Sequence, residues 1–185
     1  MNKEPKRIIA PLEESLAREL RAGDSIVLSG NIITGRDAAH KRMVDLIQAG
    51  KPLPFPVSGE VIYYVGPTPA PPGRPIGAAG PTTSYRMDAY APLLMEHGLR
   101  GMIGKGQRSD EVKQAMRKWG VVYFVGVGGA GALISRCVKE ARILAWEDLG
   151  TEAVRRLVVE DLPLIVATDS VGGDLYITGR EAYRR

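Results

Sequence analysis

Cysteine is nearly absent from this chain of 185 residues, where Cys137 stands alone. A lone thiol excludes an intramolecular disulfide, and it excludes a metal cluster held by the chain's own thiolates. Histidine is as scarce, with only His40 and His97, which argues against a self-contained zinc site. No apolar run approaches the roughly 20 residues that a membrane span needs. The start, Met1-Asn2-Lys3-Glu4-Pro5-Lys6-Arg7, leads into too few apolar residues for a signal-peptide core. A cytoplasmic protein without membrane contact is therefore expected. Aromatic residues make up 6% of the chain and nowhere interleave with a basic run. Lysine and arginine are scattered among acids, as in Lys139-Glu140-Ala141-Arg142. The net charge of +4 therefore fits an anionic small molecule, and no nucleic-acid partner is expected.

What is present is the composition of a soluble globular domain, 44% hydrophobic and 25% charged, at a length suited to one domain over residues 1–185. Apolar and β-branched runs predict strands at Arg7–Ala10, Ser25–Gly30 with Asn31–Thr34 continuing it, Val61–Val65, Gly101–Gly104, Val121–Val125 and Ile143–Trp146. Helical spacing predicts helices at Glu13–Leu20, Arg36–Met43 running on to Ala49-Gly50, Tyr85–His97, Asp110–Trp119 and Ile134–Lys139. Two further apolar segments, Ala153–Val159 and Leu162–Ala167, are joined by Glu160-Asp161. A turn over Asp169–Asp174 leads into Leu175-Tyr176-Ile177. Interleaved strands and helices make the fold class α/β.

Four residues stand out chemically. Gly80-Pro81-Thr82-Thr83-Ser84-Tyr85-Arg86-Met87-Asp88 closes an irregular, proline-rich stretch from Gly66 to Pro81, and loops that long inside a compact domain are commonly functional. If a helix starts at its hydroxyl residues, the open N–H groups and the dipole favour an anion, and Arg86 adds a planar fork from the same face. The alternative is a capped helix with a solvated arginine. Arg36 falls at a strand-to-helix junction, where α/β proteins place ligands, or is a surface arginine. Lys105, between Gly104 and Gly106, lets an anion approach backbone and ammonium together, or is a solvated lysine in a flexible turn. His40, one turn after Arg36, fits a packing or hydrogen-bonding role better than a catalytic one. Val127-Gly128-Gly129-Ala130-Gly131-Ala132 lacks the spacing of a dinucleotide fingerprint, and its small residues equally allow close helix packing or approach to another backbone.

Together, Gly23-Asp24 leading to Leu28-Ser29-Gly30, Thr34-Gly35-Arg36-Asp37-Ala38-Ala39-His40-Lys41-Arg42, Gly80 to Asp88, Gly104-Lys105-Gly106, Val127 to Ala132 and Trp146-Glu147-Asp148-Leu149-Gly150-Thr151-Glu152-Ala153 carry a resemblance over nearly the whole chain. It resembles the β subunit, or equivalent C-terminal domain, of the iron–sulfur hydro-lyases: class I fumarate hydratase and L(+)-tartrate dehydratase. The resemblance implies a swivelling β/β/α layered domain that closes over a site shared with a larger α subunit. It implies a [4Fe–4S] cluster bound by that partner and not by this chain, in agreement with the single cysteine. It implies reversible hydration of fumarate to L-malate, with Arg36, Arg86 and Lys105 binding substrate carboxylates and Thr82 as the candidate base.

Such a reaction needs a base beside the carboxylate-bearing carbon and a Lewis acid for the departing hydroxide. An αβ heterodimer or higher heteromer is expected, with a β homodimer as the form of the isolated chain. Dehydration of L(+)-tartrate to oxaloacetate is the alternative within the class. A non-catalytic anion-binding or regulatory module is the alternative outside it.

Overall fold

The computed structural model describes residues 4–126, 130–182 and 184. Five strands run parallel: β1 (Lys6–Ala10), β2 (Ser25–Thr34), β3 (Val61–Tyr63), β4 (Gly101–Gly104) and β5 (Val122–Val125). Helices α1 (Glu14–Glu19), α2 (Asp37–Gln48), α3 (Ala91–Glu96) and α4 (Asp110–Trp119) connect them. After α5 (Gly131–Cys137), two antiparallel strands follow, β6 (Val138–Ala145) and the 15-residue β7 (Val154–Thr168), then α6 (Leu175–Ala182). The sheet order is β1-β2-β3-β4-β5-β7-β6, and β7 also pairs with β2. The α/β fold is thus a seven-stranded sheet that closes on itself as a barrel-like core, with helices packed outside.

Successive strand residues face opposite ways, so one strand feeds two cores. Tyr63, Ile103 and Phe124 join Leu28, Ile32, Leu164 and Val166 in the inner cluster. Their neighbours Ile62, Met102 and Tyr123 join Met43, Leu94, Val112 and Met116 in the outer one, against α2, α3 and α4. The near-continuous apolar runs of β3 and β4 follow from burial on both faces. Each large apolar side chain so buried contributes about 1.5–3 kcal/mol over leaving it exposed.

Helix α4 begins and ends where its sequence says. The Ser109 hydroxyl caps it by accepting from the Val112 amide at 3.3 Å, with acids in the first turn and Arg117 and Lys118 in the last.

Three expected elements are corrected. The helix expected over Tyr85–His97 is a short 3-10 turn, Ser84–Met87, followed by α3 at Ala91–Glu96. Pro92 accounts for the break: in a helix already running from Tyr85 it would lack the N–H owed to Asp88 and clash with that carbonyl, whereas it is tolerated in the first turn of a helix starting at Ala91. The helix start expected at Thr82–Ser84 is therefore that of a single 3-10 turn, in which Thr83 at the cap position makes no side-chain cap bond and the Ser84 amide is taken by Lys105 O.

The helix expected to reach Lys139 stops at Cys137, and β6 starts at Val138, well before Ile143. β6 pairs with β7 alone and exposes Lys139, Glu140 and Arg142, so its apolar alternation is faint. The segments on either side of Glu160-Asp161 are one strand, bent where Asp161 takes a positive φ of 51° and its amide donates to the Ser29 hydroxyl at 3.0 Å.

Candidate active site

Because β2 to β5 run parallel, the segments leaving their carboxyl ends gather at one end of the barrel. Arg36 leaves β2, the proline-rich loop and Thr82–Asp88 leave β3, Lys105 leaves β4 and Gly126 leaves β5. The proline-rich loop is a folded plug. Its Thr68 and Ala78 exchange bonds across the loop, with Thr68 N to Ala78 O at 3.1 Å and Ala78 N to Thr68 Oγ1 at 2.8 Å. The buried Tyr63 hydroxyl donates to the Ala79 carbonyl, and Ile76 and Ala79 complete the inner core. Ala79 N also donates to Gly131 O at 3.0 Å, so the far end of the glycine-rich stretch serves backbone approach to this plug. Val127, Gly128 and Gly129 lie outside the described residues.

The structure brings the four sequence-predicted residues together through two contacts. Asp37 lies between the arginines, with Oδ1 2.8 Å from Arg86 Nε and Oδ2 3.7 Å from Arg36 Nη2. Thr83 and Lys105 form a parallel bridge in which Lys105 N donates to Thr82 O at 3.2 Å and Ser84 N donates to Lys105 O at 2.9 Å. Thr82 N donates to Tyr64 O at 2.7 Å, so the segment that carries Thr82 and Arg86 lies between the Tyr64 and Lys105 segments.

The three cations differ in how far they are engaged. Arg36 precedes α2, with Nη2 3.4 Å from Glu152 Oε1, while Glu152 Oε2 accepts from the Ala38 amide at 2.9 Å. Its Nε is buried without a hydrogen-bond partner. Its guanidinium lies along Gly66, where a Cβ would sit 2.8 Å from Nη1. Arg86 is 43% exposed and meets Asp37 through Nε, which leaves its terminal nitrogens for a bidentate carboxylate. Lys105 is exposed and has no carboxylate partner among the described residues.

Beneath these groups is a buried polar layer that sequence reasoning missed. The Ser84 hydroxyl lies 2.8 Å from the Tyr123 hydroxyl and accepts from Lys105 N at 3.1 Å, and the Tyr123 hydroxyl donates to Gly106 O at 2.9 Å. Gly104 is required here, since a Cβ would overlap Ser84 Oγ. Arg108, whose side chain is fully buried, pairs through Nε with Asp88 Oδ1 at 2.7 Å, while Asp88 Oδ2 accepts from Ser109 N at 2.7 Å. The Arg108 guanidinium lies 5.3 and 5.2 Å from the Tyr64 and Tyr123 ring centroids. Burial drives the Tyr64 and Tyr123 hydroxyls above the usual tyrosine range, so both remain protonated.

His40 packs as expected from its place one turn into α2. Nδ1 lies 2.9 Å from Arg36 O, the ring meets Tyr64 edge-on, and Nε2 is buried without a partner. Burial above all lowers its pKa to about 4, so the imidazole is neutral. The unfolded chain binds this proton below about 6.5 and the folded chain only near 4, so stability is flat above that window and falls as pH drops through it. The loss reaches up to about 3 kcal/mol. Urea unfolding at pH 7 and pH 4.5 checks this: His40→Gln loses that part of the acid sensitivity while keeping the part due to carboxylates.

Among the described residues, no group of three or more His, Cys, Asp or Glu is placed to hold a metal ion. The Cys137 thiol sits 3.7 Å from Asp161 O, on the β6–β7 side. The residues present do not fit a chain-borne cluster. No helix among the described residues is long and apolar enough to cross a membrane.

Residues 6–179 match the family described as Fumarase C-terminus, and the chain belongs to that family. It is 39% identical over 170 residues to Fumarate hydratase class I, anaerobic, of Escherichia coli K12, covering 90% of this chain and 31% of that protein. It is 41% identical over 151 residues to Fumarate hydratase 1, mitochondrial, of Leishmania major, covering 80% of this chain and 28% of that protein. The chain thus spans under a third of the length of these two relatives. A third relative, named "Putative L(+)-tartrate dehydratase subunit beta" in Methanocaldococcus jannaschii, is 34% identical over 169 residues, covering 86% of this chain and 85% of that protein.

Proposed function

We propose that this chain is the substrate-binding half of a hydro-lyase that hydrates fumarate reversibly to L-malate. The observation that carries it is that, at one end of the barrel, Arg36 and Arg86 meet at Asp37 while Lys105 pairs through its backbone with the segment that carries Thr82 and Arg86. A four-carbon dicarboxylate needs two cationic anchors. Arg86, with its Nη edge open, takes one carboxylate in fork geometry, and Lys105 with Arg36 takes the other.

Thr82 removes the proton beside the carboxylate of L-malate once its own hydroxyl proton has passed to a basic group of the partner subunit, and Arg86 on its own segment with Lys105 on the segment it pairs with stabilise the resulting alkoxide. The partner α subunit holds the [4Fe–4S] cluster, which when bound supplies the Lewis acid for the leaving hydroxide. Asp37 and Glu152 keep the arginines oriented and neutralised before substrate arrives, and substrate competes with Asp37 for Arg86.

A second reading, L(+)-tartrate to oxaloacetate, is favoured by the near full-length match to the Methanocaldococcus jannaschii relative. Anaerobic mixing with a cluster-bearing α chain separates the readings: the complex turns over fumarate and L-malate in preference to L(+)-tartrate, and the reverse preference establishes the second. Dicarboxylate binding that never yields turnover identifies a non-catalytic module.

A further inference from the structure

We infer that Arg108 is a positioning residue of this site, acting with Asp88, Tyr123 and Ser84 to fix the distance between Arg86 and Lys105. The inference rests on the proposed dicarboxylate chemistry. Arg86 and Lys105 are borne by different segments, leaving β3 and β4, and their side chains share no partner among the described residues. The relative placement of the two cations is therefore set by what joins the segments underneath.

Two buried links do so. At the near end, Ser84 Oγ accepts from Lys105 N at 3.1 Å and meets the Tyr123 hydroxyl at 2.8 Å, which holds Gly106 O at 2.9 Å. At the far end, Asp88, just after the 3-10 turn carrying Arg86, is held by Arg108 Nε and Ser109 N, both at 2.7 Å. The guanidinium lies near the Tyr64 and Tyr123 rings, so one side chain braces both links. Its Nη1 is 3.3 Å from Tyr64 Oη, and its Nη2 is buried without a partner.

That incomplete satisfaction separates positioning from stability. A buried ion pair is often no better for stability than well-packed apolar residues of similar volume, because desolvation offsets attraction. An arginine enclosed at that cost, with one amino group unmatched, has little stabilising reason to be there. What it supplies is a planar, rigid spacer between two tyrosine rings and a carboxylate, and it sets where Arg86 and Lys105 stand.

The test replaces the pair by neutral hydrogen-bonding residues, Asp88→Asn with Arg108→Gln, in the active complex with the α chain. Urea unfolding is expected to stay near wild type, while KM for L-malate rises about 10- to 100-fold through misplacement of the anchors, with a smaller change in kcat. Amide exchange is expected to quicken at Ser84 and Lys105 and to stay unchanged along β7. Ser84→Ala, which removes one hydroxyl and leaves the Asp88–Arg108 pair intact, is expected to raise KM in the same direction. A double variant with wild-type KM and unaltered exchange at Ser84 and Lys105 overturns the inference, as does one whose only defect is lost stability. A wild-type complex without dicarboxylate turnover instead overturns the functional reading, and the exchange measurement on the chain itself still decides the positioning.

Discussion

In the assembled enzyme, Arg86→Ala lowers kcat/KM for L-malate by about 30- to 1,000-fold, the equivalent of about 2–4 kcal/mol lost with one hydrogen-bonded charge partner. The expectation follows from how Arg86 is held. Asp37 engages it through Nε at 2.8 Å, and the side chain stays 43% exposed, so its terminal nitrogens remain open to a carboxylate. Exposed pairs contribute about 0–1 kcal/mol to folding, so urea unfolding of Arg86→Ala stays close to wild type. The defect is therefore catalytic. Steady-state kinetics with L-malate and fumarate checks it, and Arg86→Lys recovers only part of the loss because a point charge does not reproduce the fork. A wild-type kcat/KM in Arg86→Ala removes Arg86 from the substrate site.

Thr82→Val lowers kcat by about 10²–10⁴, the range of a general base, with little change in KM. The substitution keeps the shape of the side chain and deletes only the hydroxyl. The backbone of Thr82 makes the structural bonds, from its amide to Tyr64 O at 2.7 Å and from its carbonyl to Lys105 N at 3.2 Å, so valine leaves the segment in place. Thr82→Ser, which restores a hydroxyl, recovers much of the rate. A Thr82→Val complex with full kcat assigns the base to the partner chain.

Several elements were legible because local chemistry and tertiary context agree. α4 carries a serine cap, acids in its first turn and bases in its last, and it forms over the expected residues. β4 reads as a short apolar run and is buried on both faces. Arg36 and Lys105 were legible as cations just past apolar runs, because a parallel sheet delivers such positions to one end, and Arg86 was legible as an arginine beside hydroxyl residues at the close of the proline-rich loop.

Where reading failed, the information lay in distant partners. Arg108 is one arginine among many in the sequence, and its burial depends on Tyr64, 44 residues away, and Asp88, 20 residues away. Ser84 reads as a helix cap, yet its hydroxyl serves Lys105 and Tyr123. The one signal available was Pro92, whose place seven residues into the expected helix already argued for a break. β6 was hidden by its edge position, and the unity of β7 by the polar Glu160-Asp161 pair at its bend.

The central claim is that this chain supplies the carboxylate anchors and the base, while the metal chemistry belongs to another polypeptide. The direct measurement is L-malate dehydration, followed as fumarate formed under anaerobic conditions, while this chain is titrated into a fixed amount of a cluster-bearing α chain. Neither component alone is expected to be active, and turnover should rise to a plateau as the two become equimolar. Full activity of this chain by itself, or a mixture that binds as a complex and stays silent with fumarate, L-malate and L(+)-tartrate alike, would contradict it.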